Sequence, residues 1–195
     1  MTSYIFIENN KIIGCGEAKC LDDTVQNIEV TEEVYNSYAE DTDRYIWNGT
    51  EIVENPDYAE IKLEKAKVAK YEEANNGARE FIESGNALFE FDEGKHVEAT
   101  DGNIGKFTAY ALAYVTGQLQ PEDTVVWNTK EDENVELDQE AVVTILNGLG
   151  QVQANIWAVK FATYAQAIKE AETVEEVEAI EIDYTIDPSD TEAEE

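Results

Sequence analysis

The chain has 195 residues, of which 44 are acidic and 13 basic, and its net charge is −31. Apolar residues make up 43% of it, enough to build a packed core in one domain or two small ones. So strong a negative field repels nucleic-acid backbones and anionic lipid headgroups, so we expect no binding to nucleic acid or to a membrane surface. No apolar run approaches the roughly 20 residues that span a bilayer, and the first residues lack a signal-peptide pattern. We therefore expect a protein that folds in a cytoplasm.

The only cysteines are Cys15 and Cys20. One pair is too few for a disulfide framework, and no second pair completes a zinc site. Two reduced side chains are favoured in a cytosolic protein, while a bridge between them stays open.

Residues 1–56 predict a small β-rich domain. The expected elements are a hairpin over residues 4–13, a strand over 26–30, a short helix after Thr31 and a hairpin over 44–53. The pair Asn48-Gly49 is typical of a tight turn because both residue types adopt positive φ. Pro56 closes this unit, since the residue before a proline avoids helix.

Residues 57–84 predict a long connecting helix. Its apolar stripe consists of Ile61, Val68, Tyr71, Asn75, Ala78 and Ile82. This spacing permits a coiled coil, in which the polar Asn75 would fix the register of the seam. Packing against the same chain and self-association in a homo-oligomer are both open. Gly77 weakens the helix by about 1 kcal/mol.

Residues 85–184 predict a C-terminal domain of hairpins packed on helices, so the fold class is α+β. The expected elements are a hairpin over 88–99, a helix over 103–116, strands over 124–128 and 134–137, a long helix capped by Asp138, and a short helix after Thr173. The acidic segment 185–195 is too polar to pack and is predicted to be a disordered tail.

The long helix after Asp138 has an unusually wide apolar face. Its predicted inner stripe is Val142, Ile145, Leu149, Val152, Ile156, Val159 and Thr163, widened by Leu146, Trp157, Phe161, Tyr164 and Ile168. A face of that width is normally covered by other elements of a protein.

The stretch TDGNIGKFT (Thr100–Thr108) invites a phosphate-loop or calcium-loop interpretation. A phosphate loop requires a glycine at position 100, where this chain has threonine. A calcium loop requires glycine at position 106, where this chain has lysine. The stretch therefore predicts a helix that Thr100 or Asp101 caps, without a bound ligand.

No catalytic, cofactor-binding or metal-binding residue is assigned from the sequence. His96 is the single histidine, and with Asp92, Glu93 and Glu98 nearby it is best interpreted as a surface side chain on a strand and turn. Carboxylate pairs are so frequent in this chain that they do not indicate catalysis. We therefore predict that the protein is not an enzyme.

The C-terminal half resembles a domain of unknown function that is common in bacteriophage tail proteins, often beside tail-fibre genes. The matching pattern is FEFDEGKHVEATD (residues 89–101), Asn103-Ile104, Val126-Trp127-Asn128, Val135-Glu-Leu, a long helix and the segment 168–180. The match covers about residues 85–183 and departs from the family at Val177, where leucine is usual. The hairpins of the N-terminal half are similar to the small β-rich leaders of such proteins.

The resemblance implies a noncatalytic phage tail-associated protein. Such a protein would be a component of the tail fibre or baseplate or a fibre-assembly factor, would bind a fibre or baseplate protein, and would lie in the virion tail or, during assembly, in the host cytoplasm. It implies no active-site residue. The alternative, which the net charge supports, is a nucleic-acid mimic that inhibits a host DNA-binding enzyme. A hydrolase that processes fibres is a third hypothesis, for which the sequence offers neither nucleophile nor metal cluster.

Overall fold

The computed structural model describes residues 2–185. Helices and antiparallel hairpins both contribute, so the fold class is α+β as predicted. The chain forms two compact units that divide between Ala66 and Lys67. This boundary lies inside the long helix, whereas the sequence suggested boundaries at its two ends, after residues 56 and 84. The predicted disordered tail lies outside the described residues except for Thr185.

The first unit is a three-stranded sheet with a helix and a separate hairpin. Its elements are β1 (Ser3–Glu8), β2 (Lys11–Gly16), β3 (Gln26–Val30), α1 (Glu32–Glu40), β4 (Tyr45–Trp47), β5 (Ile52–Glu54) and the start of α2 (Tyr58–Glu83). The central strand β1 pairs antiparallel with β2 and with β3. Because side chains alternate along a strand, β1 buries Ile5 and Ile7 on one face, where they join Tyr38 of α1 in the core.

The two hairpin turns of this unit are built differently. The predicted hairpin over residues 4–13 is confirmed, and Asn9 and Asn10, with φ of 51° and 63°, form a two-residue turn between β1 and β2. In the second hairpin only Gly49 has positive φ among the turn residues, so the prediction of a tight turn on Asn48-Gly49 is wrong. The carboxamide of Asn48 instead accepts hydrogen bonds from the N–H groups of Thr50 and Glu51, both at 2.9 Å, and so stabilises a wider loop.

The second unit consists of two hairpins and a set of helices around one core. After α2 its elements are β6 (Leu88–Asp92), β7 (Lys95–Glu98), α3 (Asp101–Val115), β8 (Val125–Asn128), β9 (Asn134–Leu137), α4 (Gln139–Ala154), a π-helical segment (Asn155–Phe161), α5 (Ala162–Glu170) and α6 (Val174–Glu178). The strands pair as β6–β7 and β8–β9, both antiparallel. Fully buried side chains at its centre include Val97, Phe107, Ile145, Leu149 and Ile156.

Helix starts follow the sequence closely. The predicted caps Thr31, Asp138 and Thr173 are confirmed, and of the two candidates Thr100 and Asp101 it is Thr100 that caps α3. Each side chain accepts a hydrogen bond from the backbone N–H three residues later, which satisfies a donor that has no partner within the helix.

The predicted long helix after Asp138 is interrupted. The structure places the π-helical segment between α4 and α5, and the predicted inner positions Val159 and Thr163 are exposed, Val159 by 57%. In a π-helix the hydrogen bonds run to the fifth residue instead of the fourth, so each turn takes up an additional residue and the inner face moves. Beyond the segment, Tyr164 and Ile168 are the more buried positions.

Two glycines allow close approach inside the second unit. A Cβ added at Gly148 of α4 would lie 2.2 Å from the ring of Phe89, which packs directly against the helix backbone. A Cβ added at Gly77 of α2 would lie 3.2 Å from the ring of Tyr184. The hydroxyl of Tyr184 donates a hydrogen bond to the carbonyl of Ala74 at 2.7 Å, so the segment after α6 packs against α2.

Cys15 and Cys20 are free thiols, both half-buried. Within residues 2–185, none of the helices combines the length and the apolar character needed to cross a bilayer.

Candidate functional site

An open apolar groove lies between α2 and α5 in the second unit. Its volume is about 790 Å³, within the size range of sites that bind small molecules or several side chains. One wall is formed by Val68, Tyr71 and Asn75 of α2, and the other by Phe161, Ala165 and Ile168. Apolar groups therefore line both sides of a surface depression.

The groove contains only part of the apolar stripe that the sequence suggested as an oligomer interface. Val68 and Tyr71 are 58% and 46% exposed at its rim, and Asn75 also lines it. Ala78 and Ile82 belong to the core of the second unit, where they are 0% and 3% exposed. The first stripe residue, Ile61, is half-buried and belongs to the first unit. Of the six stripe residues, only Val68, Tyr71 and Asn75 thus line the groove.

The π-helical segment shapes the far wall. Its last residue, Phe161, packs edge-on against Tyr71 with ring centroids 5.2 Å apart, and against Trp157 at 5.5 Å. Such aromatic pairs are worth about 0.5–1.5 kcal/mol beyond the area they bury. Single-turn π segments within α-helices occur frequently at functional sites. The segment therefore gives the groove an aromatic wall at the point where the helix departs from regular geometry.

Lysines and glutamates flank this apolar surface. Lys67 donates from Nζ to the carbonyl of Lys169 at 3.0 Å, which satisfies an acceptor at the C-terminal end of α5 and connects the two walls. Lys70 lies 3.0 Å from Glu73 in the same helix, and neither residue lines the groove. The charged wall residues are Lys67, Glu72 and Lys169.

A second cluster surrounds His96, at the edge of β7. Nδ1 of His96 lies 2.8 Å from Glu131, and Nε2 lies 4.0 Å from Glu90. The backbone N–H of His96 donates to Glu131, and its carbonyl accepts from the N–H of Lys130, both at 3.0 Å. These hydrogen bonds connect the turn between β8 and β9 to the edge of β7 that does not pair with β6. Hydrogen bonding from the His96 N–H lowers the pKa of Glu131 to about 2.

The acids that the sequence placed around His96 have other partners. Asp92 pairs with Lys95 at 2.8 Å, Glu98 pairs with Lys130 at 2.6 Å, and Glu93 lies in the exposed turn. Glu131, the actual partner, is 35 residues away in sequence and no local pattern indicates it. In the described part of the chain, no group of three or more histidine, cysteine or acidic side chains is placed to hold a metal ion. The cluster therefore joins the β6–β7 hairpin to the β8–β9 hairpin.

The stretch TDGNIGKFT begins α3. Thr100 caps the helix by accepting from the N–H of Asn103 at 3.2 Å, and the carboxamide of Asn103 donates to the carbonyl of Glu98 at 3.1 Å. The ammonium of Lys106 lies 5.3 Å from the ring centroid of Trp127, a cation–π contact. The polar groups of the stretch thus have partners within the protein.

The far wall of the groove was not predicted as part of a site. Phe161 and Ile168 lie 93 and 100 residues after Val68 in sequence. The sequence indicated them only through the unusual width of the apolar face after Asp138. Pairing that face with α2 requires the tertiary structure.

Comparisons with protein-family models, with curated proteins and with solved structures found no match to this chain. A functional proposal therefore rests on the residues and their geometry.

Proposed function

We propose that this chain is a noncatalytic bacteriophage tail-associated protein that acts by binding another protein of the tail fibre or baseplate. It would serve either as a structural component of the virion tail or as a fibre-assembly factor in the host cytoplasm. The observation that supports the proposal is the pattern of residues 85–183, which resembles a domain common in phage tail proteins.

The residues that define that pattern have packing roles. Phe89 lies against Gly148, the rings of Trp127 and Phe107 pack with centroids 4.7 Å apart, and Val97 is fully buried. Side chains of this kind define a fold and the surfaces it presents. A noncatalytic role is consistent with this use of the pattern.

The charge of the chain suggests the kind of partner surface. A net charge of −31 favours encounter with a basic patch and discourages contact with other acidic proteins. It also keeps a protein soluble at the high concentrations at which virion parts accumulate. Binding to a fibre or baseplate protein should therefore weaken as salt is raised.

The test is a mass-spectrometric inventory of purified phage particles, combined with affinity capture by the tagged chain from lysates of infected cells. Presence in particles supports a structural component, and absence from particles together with capture of a tail protein supports an assembly factor. If the chain is absent from particles and captures no tail protein, the proposal is wrong.

A nucleic-acid mimic is the alternative, and the net charge of −31 is the observation that favours it. Mimicry requires acids in rows spaced like phosphates, about 1.7 Å of helix axis per charge in duplex DNA. Salt-sensitive competition with DNA for a basic host nuclease would support this function over tail binding.

A further inference from the structure

Among the described residues of the second unit, 67–185, no helix or strand covers the exposed rim of the groove. Val68 and Tyr71 are large apolar residues on neighbouring turns of α2, and both remain about half exposed. Phe161 and Ala165 face them from the opposite wall. Val68 and Tyr71 therefore place exposed apolar side chains beside a depression into which side chains of a partner can pack.

The walls of the groove carry no excess of negative charge, unlike the chain as a whole. The charged residues that line it are Lys67, Glu72 and Lys169. Two copies of a chain with net charge −31 repel each other over most of their surfaces. The repulsion is smallest where acids do not outnumber bases, and a basic partner finds no excess of negative charge there.

The charges on this part of α2 are also ordered along the helix. On the side of the helix that lines the groove, Lys67 precedes Tyr71 and Glu72 follows it. A two-fold axis perpendicular to α2, between Val68 and Tyr71, makes two copies of the helix antiparallel, so that Lys67 of each copy faces Glu72 of the other. An interface formed by one patch on both subunits must be self-complementary in this way.

We propose that the groove is a docking site for a second copy of this chain, in a two-fold symmetric homodimer. Val68 and Tyr71 of each copy would enter the groove of the other. The groove admits only a few side chains, which is little for a stable dimer, so the association is expected to be weak and dependent on concentration.

The first test is sedimentation equilibrium of the purified full-length chain over a range of concentrations and of sodium chloride. We expect a monomer–dimer equilibrium that salt strengthens, because screening removes the repulsion between two acidic chains. Binding to a basic partner has the opposite salt dependence.

A matched pair of variants then locates the interface. Val68→Glu places a charge in the groove, whereas Ala69→Glu places the same charge on the neighbouring exposed residue, which does not line the groove. We expect the first variant to weaken dimerisation at least ~10-fold, or about 1.4 kcal/mol, and the second to leave it close to the parent value. Circular dichroism of both variants checks that the fold is retained.

A second pair tests the antiparallel charge pattern. Glu72→Lys and Glu80→Lys change the net charge equally, and both positions are exposed on α2. Glu72→Lys should weaken the dimer, although each copy becomes less acidic, because the new lysine then faces Lys67 of the other copy. Glu80→Lys should leave dimerisation unchanged or strengthen it.

A chain that stays monomeric at every concentration and salt, or a dimer that Val68→Glu does not weaken, would overturn the proposal. Capture of a different protein that depends on Val68 in a monomeric chain would show that this protein, not a second copy, occupies the groove. None of these measurements involves a phage component, so their failure would leave the proposed tail function standing.

Discussion

Gly148 shows how one absent side chain fixes the packing of a hairpin on a helix. The ring of Phe89 occupies the space where a Cβ would be, with its nearest atom 2.2 Å from that position. A Cβ added at Gly150, two residues later in the same helix, would instead meet open space, with no packed neighbour within 4 Å. The two glycines therefore have different roles despite identical chemistry and similar backbone.

We expect Gly148→Ala to destabilise the protein by about 1–3 kcal/mol, because Phe89 must move out of a packed site. Gly150→Ala is the matched control and should stabilise it by about 0.5–1 kcal/mol, since alanine favours helix. Urea denaturation followed by circular dichroism measures both changes. Equal effects of the two substitutions would show that Phe89 does not pack on the helix backbone as described.

Tyr184 links stability to alkaline pH. Burial raises the pKa of its phenol to about 12 from the ordinary value of 10.0, with a smaller contribution from Tyr164. A group whose pKa is raised on folding contributes stability that is complete below the unfolded pKa and is lost as pH rises through the folded value. The stability attributed to this phenol should therefore decrease between pH of about 10 and about 12.

Tyr184→Phe should cost about 1 kcal/mol at neutral pH, because the hydrogen bond to the carbonyl of Ala74 is lost. Phenylalanine does not ionise, so the difference from the parent protein should shrink above pH 10.0, the unperturbed value. Denaturant unfolding of both proteins from neutral to alkaline pH measures this difference. If the unfolding free energies of the two proteins differ by the same amount at every pH, the phenol of Tyr184 does not have a raised pKa in the folded protein.

At the scale of elements, the π-helical segment is the feature that most affects the candidate site. It contains seven residues, 155–161, between two regular α-helices. Because a π turn contains one residue more than an α turn, removing one residue allows a continuous α-helix in which the residues of α5 keep their orientation. The segment thus behaves as an insertion that the flanking helices tolerate.

Deletion of Ala158 from the segment should leave a folded protein that is at least as stable as the parent. Deletion of Thr144, an exposed residue in the regular helix α4, is the control. It rotates all later residues by about 100° relative to the core and should destabilise the protein severely. Thermal unfolding followed by circular dichroism measures the melting temperatures of the two variants. An equal loss of stability in both would show that the π-helical segment does not act as an insertion of one residue.

Local signals account for the elements that the sequence predicted correctly. Thr100 and Thr173 cap helices through bonds to residues three positions away, so a short stretch of sequence contains all the information required. The π segment was missed because periodicity analysis assumes a constant number of residues per turn. The pairing of His96 with Glu131 and the meeting of Val68 with Phe161 depend on long-range packing, for which a single sequence offers no pattern.

At the scale of the whole molecule, charge opposes compactness. With net charge −31, most pairs of distant side chains repel, and few are offset by ion pairs such as Lys130 with Glu98. The Debye length falls from about 30 Å at 0.01 M salt to about 3 Å at 1 M, so salt removes much of this repulsion. The free energy gained by burying the apolar cores of the two units must exceed the repulsion that remains.

We therefore expect the melting temperature to rise by several degrees between about 10 mM and about 1 M sodium chloride, because screening weakens net self-repulsion. Differential scanning calorimetry measures the change. Comparison at a low protein concentration separates this effect from any salt-dependent dimerisation. A melting temperature that falls with salt would mean that attractive ion pairs outweigh the repulsion.

The π-helical segment also has a consequence for tracing the ancestry of this chain. A homologue in which an uninterrupted α-helix runs from α4 into α5 would be one residue shorter there. Its sequence would align with this one only if a single-residue gap were opened within residues 155–161. On both sides of that gap, the apolar positions of the two proteins would coincide.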